Sequence, residues 1–303
     1  MRNSLLKTGL VAAMAIATAT RMADAQEQEE VDITLEEVGK GVYMLTGRGG
    51  NIGVWAGDDG VFLIDDQYAP LTPEIRRAVA KISDEPVRFV FNTHWHGDHT
   101  GGNENFGKAG SVIVAHDNVR KRLAAGQIMN FVGQEREVPP APEAALPVVT
   151  FDNTVTFHLN GDELHAFHVR NAHTDGDAIL RFRNANVVHM GDVYFSGYYP
   201  FIDASSGGSL AGMIGAIDRA LELIDEETRV IPGHGPLADR AGLESYRNML
   251  ATVHGRIELM IDEGLSLEAI QAQRPTSEFD AEWGDGFIPP DQWVGLIYRE
   301  MTD

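Results

Sequence analysis

Short apolar runs separated by polar turns dominate the first part of the chain and predict β-strands. The first three runs lie at residues 42–46, 52–56 and 61–65. Glycine-rich segments stand between them, and short apolar stretches bounded by Gly, Asn and Asp are typical of strands joined by tight turns. This region therefore predicts an antiparallel meander, preceded by an acidic and loosely held lead-in at residues 26–38.

Further along the chain, strand patterns and helical patterns occur in two successive sets. Helices are predicted at residues 72–82, 103–108, 117–125, 210–224, 243–263 and 293–301. Further strands are predicted at residues 87–91, 111–115, 155–159, 163–168, 178–182, 187–190 and 229–231. Residues 126–149 contain four prolines and are predicted to form a loop over a cleft. The two sets meet near residue 150, and two sheets packed face to face with helices outside would bury one core.

The N-terminus has the order of features that is typical of a secretory signal peptide. Arg2 and Lys7 form a positive start, residues 9–20 are apolar or small, and Ala23-Asp24-Ala25 fits a small-x-small cleavage site. The apolar run is shorter than the roughly 20 residues that a membrane-spanning helix requires. We predict a signal peptide at residues 1–25, a single domain at residues 26–303 and a periplasmic or secreted protein.

Charge and cysteine content restrict the partners and the chemistry. The formal net charge is −21, and the predicted signal peptide carries three basic residues and one acid, so the mature charge would be −21 − 2 = −23. A field of that sign disfavours nucleic acid and anionic membrane surfaces, which leaves a small-molecule substrate as the expected partner. The chain has no cysteine, which excludes a thiolate nucleophile. Nothing in the pattern indicates an oligomeric state.

The sharpest signal for chemistry is the segment after the strand predicted at residues 87–91. Within six residues it contains His94, His96, Asp98 and His99. Imidazole nitrogens and carboxylate oxygens are ligands that zinc prefers, at about 2.0–2.2 Å and in tetrahedral geometry. Four ligands so close in sequence cannot all bind one ion without strain, so we expect two zinc ions that share this loop.

Three later segments supply further candidate ligands. His173, Asp192 and His234 each follow a predicted strand in a loop that contains glycine. A shared cleft at one edge of the two predicted sheets would bring them to the first loop. Buried His and Asp side chains without partners would be costly, which argues against a purely structural role for all seven residues.

These seven residues carry a resemblance to a known family. Over essentially the whole mature chain, the sequence resembles the metallo-β-lactamase-fold hydrolase superfamily, whose His-x-His-x-Asp-His signature appears at residues 94–99. The family's later His, Asp and His motifs match His173, Asp192 and His234 in the expected order. The resemblance implies an αββα sandwich, with two mixed β-sheets flanked by helices.

The resemblance also implies a role for each candidate. In that scheme His94, His96 and His173 bind the first zinc, and Asp98, His99 and His234 bind the second. Asp192 resembles the carboxylate that bridges both metals in glyoxalase II-like members. A hydroxide between the ions would be the nucleophile, because bound zinc lowers the pKa of water to about 7. Asp98 has a second predicted role as the catalytic group that orients this hydroxide and handles its proton.

The remaining histidines and acids are interpreted as structural. Six histidines are expected to be packed or surface residues: His116, His158, His165, His168, His189 and His254. Asp175 and Asp177 are expected to support a turn or a ligand, and Asp65 is expected to accept a hydrogen bond from a ligand histidine. The tyrosines at positions 194, 198 and 199 are expected to pack, with the option of lining the cleft.

The substrate is the least determined part of the sequence-based interpretation, because a metal pair does not choose among carbonyl and phosphorus centres. The predicted export favours β-lactam ring hydrolysis. Against this, Asp192 stands where dedicated β-lactamases carry Cys or Ser, Phe195 stands where one subclass has a substrate-binding lysine, and the next basic residue is Arg219. The alternative is a secreted hydrolase of thioesters, lactones or phosphate or sulfate esters. A third hypothesis is a zinc-binding protein without catalysis.

Overall fold

A computed structural model describes residues 32–302 of the chain. Residues from Asp32 onward group into one compact unit. The predicted signal peptide and its cleavage site lie outside the described residues. In the described part of the chain, no helix has both the length and the apolar character required to cross a membrane.

The first half of the described chain builds a seven-stranded mixed sheet and a separate hairpin. In chain order the strands are β1 (Thr34–Gly39), β2 (Val42–Thr46), β3 (Ile52–Gly57), β4 (Gly60–Ile64), β5 (Val87–Asn92), β6 (Val112–His116), β7 (Gln127–Phe131), β8 (Gln134–Val138) and β9 (Val149–Phe151). The sheet order is β1-β2-β3-β4-β5-β6-β9, while β7 and β8 pair only with each other. The strands are antiparallel from β1 to β4 and parallel from β4 to β9.

The second half builds a six-stranded sheet. Its strands are β10 (Thr154–Leu159), β11 (Asp162–His168), β12 (Ala178–Phe182), β13 (Val187–His189), β14 (Arg229–Ile231) and β15 (Ala238–Asp239), arranged in that order. Only the β13–β14 pair is parallel. The division between the two sheets falls between β9 and β10, close to the predicted position near residue 150.

Helices occupy the connections between the strands. They are α1 (Thr72–Val79), α2 (Gly97–Thr100), α3 (Asn103–Lys108), α4 (Asp117–Ala125), α5 (Leu210–Leu221), α6 (Arg240–Asp262), α7 (Leu267–Gln273), α8 (Asp280–Trp283) and α9 (Pro290–Thr302). The long helices begin at clear capping residues. The side chains of Ser209 and Asp239 accept hydrogen bonds from the backbone N–H groups of Gly212 and Gly242, respectively. Such caps satisfy N–H groups that have no partner within the helix.

Two apolar layers hold the sandwich together. Between the sheets, Trp55 and Phe62 of the first sheet pack with Leu164, Leu180 and Phe182 of the second. The Trp55 and Phe182 rings meet edge to face at 5.3 Å between centroids. On the outer side of the second sheet, residues of α5, α6 and α9 form another buried cluster with β11, β12 and β13. The predicted αββα sandwich of two mixed sheets is therefore confirmed.

Two local predictions are wrong. The lead-in predicted as loose contains β1 from Thr34 onward, which pairs antiparallel with β2. The segment predicted as a loop at residues 126–149 contains the β7–β8 hairpin, a short 3₁₀-helix at Glu143–Ala145 and the start of β9. Val132 and Gly133 both have positive φ, at 51° and 83°, which is the geometry of a tight two-residue hairpin turn. Asn-Gly or Asp-Gly is the usual signal for such a turn, and Val-Gly does not resemble it.

Candidate metal centre

The edge of the sandwich where β5, β13 and β14 end brings the predicted residues together. The loop of residues 93–96 follows β5 directly, and α2 begins at Gly97. His96 stands before α2 with an extended backbone, so its ring points into the edge rather than along the helix. Asp192 lies in the 3₁₀-helix Gly191–Val193 after β13, and His234 follows β14.

Four buried side chains form a first group: His94, His96, His173 and Asp192. Their potential ligand atoms all lie within 4.8 Å of one another. His173 Nε2 lies 2.9 Å from His96 Nδ1. The Asp192 Oδ2 atom lies 3.5 Å from His173 Nε2 and 3.8 Å from His94 Nε2. Three imidazoles and one carboxylate therefore face one small volume.

Asp98, His99 and His234 form a second group, and their potential ligand atoms also lie within 4.8 Å of one another. His99 Nε2 lies 3.4 Å from His234 Nε2, and His234 Nε2 lies 3.3 Å from Asp98 Oδ2. The His99 ring is fully buried, whereas the side chains of Asp98 and His234 are 24% and 22% exposed. The second group is therefore the one that opens toward solvent.

The Asp192 carboxylate reaches both groups. Its Oδ1 lies 3.0 Å from His99 Nε2 of the second group, and its Oδ2 lies 3.5 Å from His234 Nε2 as well as from His173 Nε2 of the first. The structure thus brings all seven predicted side chains together. It places Asp192 between the two groups, where one carboxylate can contact two cations.

The outward-facing nitrogens of the histidines are held by hydrogen bonds. His99 Nδ1 donates to Asp65 at 2.8 Å, His96 Nε2 donates to Asp203 at 2.9 Å, and His173 Nδ1 donates to the Phe201 carbonyl at 2.8 Å. His94 Nδ1 contacts the Thr93 hydroxyl at 3.0 Å, and that hydroxyl donates to Asp65. Such partners set the tautomer and leave the other ring nitrogen with a lone pair for a metal.

The donor set fits a pair of divalent cations. Among the described residues, His94 Nε2 is buried without a hydrogen-bond partner, and Asp192 Oδ1 makes no hydrogen bond although it lies 3.0 Å from His99 Nε2. Buried polar atoms normally have partners, so two such atoms aimed into one cluster fit the binding of a cation. Nitrogen and carboxylate donors in this number suit zinc, with the histidines and acids divided between two ions.

Electrostatics distinguish the two groups. Burial lowers the pKa of His173 to about 4 and that of His94 well below its ordinary value, so both rings are neutral and able to bind metal. In the second group, burial opposes charge, but the Asp192 carboxylate outweighs it and raises the pKa of His234 to about 9. The charge of His99 likewise overcomes burial and lowers the pKa of Asp98 to about 2. A cation that binds there would therefore displace protons.

Two glycines permit the close approach of backbone to these ligands. A Cβ at Gly50 would lie 2.0 Å from the His99 ring, and one at Gly233 would lie 2.1 Å from Asp192 Oδ1. Contacts below 3.0 Å are not tolerated by real Cβ atoms. The glycines in the β2–β3 and β14–β15 loops are therefore required by the metal-ligand side chains that pack against them.

The other predicted residues lie outside the cluster or support it. His116 and His168 stack on each other at 3.7 Å, and His189 hydrogen-bonds to backbone groups of Asn51 and Gly191. The remaining three histidines, at positions 158, 165 and 254, belong to neither metal-ligand group. Asp175 pairs with the guanidinium of Arg122.

Two further acids near the cluster have distinct roles. Asp177 accepts hydrogen bonds from the backbone and hydroxyl of Thr174, beside His173. Asp203, by contrast, was not predicted from the sequence. It lies in an irregular segment after β13 and contacts His96 across 107 positions of the chain, so no local pattern pointed to it.

Aromatic side chains line an open cleft beside the second group. The cleft has a volume of about 450 Å³, and Tyr198, His234 and Phe287 contribute to its walls. Phe195 stacks on the His234 ring at 5.2 Å with an interplanar angle of 15°. Tyr194 packs against Tyr246, and Tyr199 packs against Trp293, away from the cleft. Among the three predicted tyrosines, Tyr198 is the one that lines this cleft.

A protein-family model and a curated protein match the sequence of this chain. The model described as the metallo-beta-lactamase superfamily matches residues 45–266. The chain is 25% identical over 177 residues to the 2,4-dinitroanisole O-demethylase subunit alpha of Nocardioides sp. (strain JS1661). That match covers 55% of this chain and 48% of the relative, so the chain spans about half the length of that curated protein.

Solved structures resemble the fold of this chain at low sequence identity. A metallo-beta-lactamase from Pontibacter korlensis has a TM-score of 0.61 at 20% identity, over 73% of this chain and 99% of that one. The stereoselective inverting sec-alkylsulfatase Pisa1 from Pseudomonas sp. has a TM-score of 0.69 at 18% identity, over 89% of this chain and 50% of that one. These likenesses concern the fold.

Proposed function

The chain belongs to the metallo-beta-lactamase superfamily, as a hydrolase with a His/Asp metal site, and from this premise we propose that it works with two zinc ions. His94, His96 and His173 would hold one ion, and Asp98, His99 and His234 the other, with Asp192 shared. A zinc pair supplies a water of lowered pKa and a positive charge that polarises the bond to be broken.

The observation that carries the proposal is the position of the Asp192 carboxylate. It contacts ligand nitrogens of both groups within 3.0–3.5 Å, and its Oδ1 is buried without a hydrogen-bond partner among the described residues. Burial penalises an uncompensated charge, so an ionised carboxylate at this depth requires positive charge around it. Burial opposes this charge, but the charges of His99 and its neighbours outweigh burial and hold the pKa of Asp192 well below its ordinary value. A metal pair would supply that positive charge in place of the histidine protons.

Asp98 is suited to handle the proton of the attacking water. Its carboxylate is ionised and partly exposed at the open side of the cluster, whereas the first group is buried. Its Oδ2 lies 3.3 Å from His234 Nε2 and 3.6 Å from His99 Nε2, which holds it at the mouth of the site. A carboxylate in that position accepts a hydrogen bond from a water and orients it toward the substrate.

For the substrate, we propose β-lactam ring hydrolysis as the first candidate. The predicted export supports it, and so does the likeness to a metallo-beta-lactamase that extends over 99% of that chain. The second candidate is the hydrolysis of a sulfate or related ester. It is supported by the likeness to a sec-alkylsulfatase, which extends over 89% of this chain compared with 73% for the lactamase.

One experiment separates these candidates and tests the metal. The full chain, loaded with two equivalents of zinc, is assayed with a chromogenic cephalosporin, a nitrophenyl sulfate, a nitrophenyl phosphate, a thioester and a lactone. We expect turnover of at least one substrate that is lost with a chelator and restored by zinc. Metal uptake with no turnover of any substrate, or turnover that is indifferent to the chelator, would overturn the proposed function.

A further inference from the structure

Two arginines stand at the rim of the metal cluster, on elements distant in sequence from the ligands. The Arg48 guanidinium lies over the Tyr68 ring at 5.9 Å, and the Arg136 guanidinium lies over the Phe131 ring at 4.5 Å. Both side chains are exposed. Arg48 belongs to the β2–β3 loop, and Arg136 belongs to β8 of the hairpin.

The β2–β3 loop is packed directly on the metal-ligand loop. The backbone N–H of Gly50 donates to the carbonyl of Asp98 at 3.1 Å. A Cβ at Gly49 would lie 2.9 Å from that same carbonyl and 3.3 Å from the Tyr68 ring. Arg48 therefore projects from a segment that touches the backbone of Asp98, next to the open side of the cluster.

The hairpin is fixed beside the first group of the cluster. Gln127 of β7 donates to the Ser206 hydroxyl at 2.8 Å, and the backbone N–H of Asn130 donates to the Ser205 hydroxyl at 3.2 Å. These two serines follow Asp203, the hydrogen-bond partner of His96, and both donate hydrogen bonds to its carboxylate. The hairpin is thus positioned relative to the metal site by the same segment that orients one of the ligands.

The hairpin also extends an aromatic wall from the metal cluster to the solvent. The Phe131 ring lies 4.9 Å from Phe201 and 6.3 Å from Phe287. Phe201 in turn lies 5.9 Å from the His96 ring, and Phe287 lies 6.1 Å from Phe195. Phe287 is half exposed although it is large and apolar. Phe195 and Phe201 are buried, so the Phe131 and Phe287 rings are the accessible part of this wall. An apolar surface that ends at a polar reaction centre is typical of a ligand-binding site.

The charges at this rim act on one another. Burial and the Asp98 carboxylate raise the pKa of Tyr68, whereas His99, Arg48 and Arg136 oppose that rise. Arg48 contacts the Tyr68 ring directly, whereas Arg136 covers the Phe131 ring, which packs on Phe201 next to His96. In a chain of net charge −21, two cations beside the site are a local exception to the overall sign.

We propose that Arg48 and Arg136 bind an anionic group of the substrate while Phe131 and Phe287, backed by the buried Phe201, hold its apolar part. The substrate class is then an organic molecule that carries one negative charge and an aromatic or aliphatic group. The role of this substrate preference in catalysis rests on the proposed function. Its binding test, however, does not depend on turnover.

The test measures binding of three non-hydrolysable probes to the zinc-loaded full chain by calorimetry. Phenylmethanesulfonate carries both features, benzyl methyl sulfone lacks the charge, and methanesulfonate lacks the ring. We expect phenylmethanesulfonate to bind at least about tenfold more tightly than either of the others. Arg48→Gln and Arg136→Gln should each weaken the binding of phenylmethanesulfonate by about threefold to tenfold, as expected for a partly exposed charge contact. Both variants should leave the affinity for the sulfone unchanged.

Two further variants complete the design. Phe131→Ala should weaken the binding of both phenylmethanesulfonate and the sulfone, because both probes contact the aromatic wall. Arg88→Gln is the matched control. Arg88 also lies over an aromatic ring, that of Phe89 at 5.5 Å, but it stands near the start of β5. The metal-ligand loop follows the opposite end of that strand. Arg88→Gln should leave all three affinities unchanged.

The outcomes separate the two proposals. If the arginine variants bind phenylmethanesulfonate as tightly as the parent chain, the metal pair alone holds the anion and the rim proposal is overturned. The same holds if the sulfone binds as tightly as the sulfonate. A chain that shows the expected probe affinities but hydrolyses no substrate contradicts the proposed function and leaves the rim proposal intact. Folding of each variant is checked by its thermal unfolding.

Discussion

Asp203 offers a direct test of how the metal ligands are oriented. It is fully buried, its Oδ2 accepts from His96 Nε2 at 2.9 Å and from the Ser206 hydroxyl at 2.5 Å, and its Oδ1 accepts from the Ser206 backbone at 3.1 Å. Burial opposes its charge, but the hydrogen bond from His96 outweighs this and lowers its pKa to about 2. Asp203→Asn keeps the size of the side chain and removes the charge.

The size of the effect follows from the loss of a charge-assisted hydrogen bond. The carboxylate makes His96 Nδ1 more basic and fixes the ring, and removal of such a partner lowers metal affinity by about 10- to 100-fold. At about 1.4 kcal/mol per tenfold change, this corresponds to roughly 1.4–2.8 kcal/mol of binding free energy. We expect the loss at one of two zinc equivalents, because His99 of the second group is held by Asp65 instead.

The assay is a competition titration of zinc against a chromogenic chelator. Asp84→Asn serves as the control, because Asp84 is exposed in the connection between α1 and β5. We expect one weakened zinc site in Asp203→Asn and two unchanged sites in the control. If both zinc affinities of Asp203→Asn stay within about twofold of the parent chain while the variant is folded, Asp203 does not orient His96 as inferred.

Four other expectations follow from the structure. Asp192→Ala should lower the bound zinc below two equivalents, whereas Asp98→Asn should reduce turnover more than metal content. Metal analysis measures the zinc content and kcat measures the turnover. Values equal to those of the parent chain in both variants would refute the assigned roles. Gly50→Ala should displace the His99 ring and weaken one zinc site in the same competition titration. Trp293→Ala should lower the free energy of unfolding in urea by about 3–5 kcal/mol, since the ring is fully buried. Chelator treatment should abolish hydrolysis reversibly, and activity that survives would exclude a metal role.

Most of the fold was predictable because its elements have strong local patterns. The helices Asn103–Lys108 and Asp117–Ala125 and the strands Ala178–Phe182 and Arg229–Ile231 match the predicted bounds. Buried strands here are short apolar runs between glycines, and the pattern recognises these well. The β7–β8 hairpin was not predicted because the residue types of β7 do not follow its alternating burial, with Ile128 exposed and Gln127 half-buried. Its turn residue, Val132, is also unusual at positive φ.

The candidate ligands were predictable because their residue types and their close spacing indicate a metal site. His94, His96, Asp98 and His99 crowd one loop, and the later histidines and Asp192 follow strands in glycine-containing loops. A hydrogen bond to Asp65 from a ligand histidine was also predicted, because an acid beside such a histidine is a recurrent arrangement. The structure shows that this histidine is His99.

The chain itself thus determined the identity of the seven converging side chains and the order of the strands that carry them. Only the tertiary structure decided that Asp203 holds His96 and that Arg48 and Arg136 stand at the same rim. Following the chain from Asp192, the next basic residue is Arg219, whereas in space the cations come from the β2–β3 loop and from a hairpin. The physical reason is that contacts between segments about 100 residues apart depend on how the two sheets and their loops pack. No local pattern of hydrophobic and polar residues records that packing.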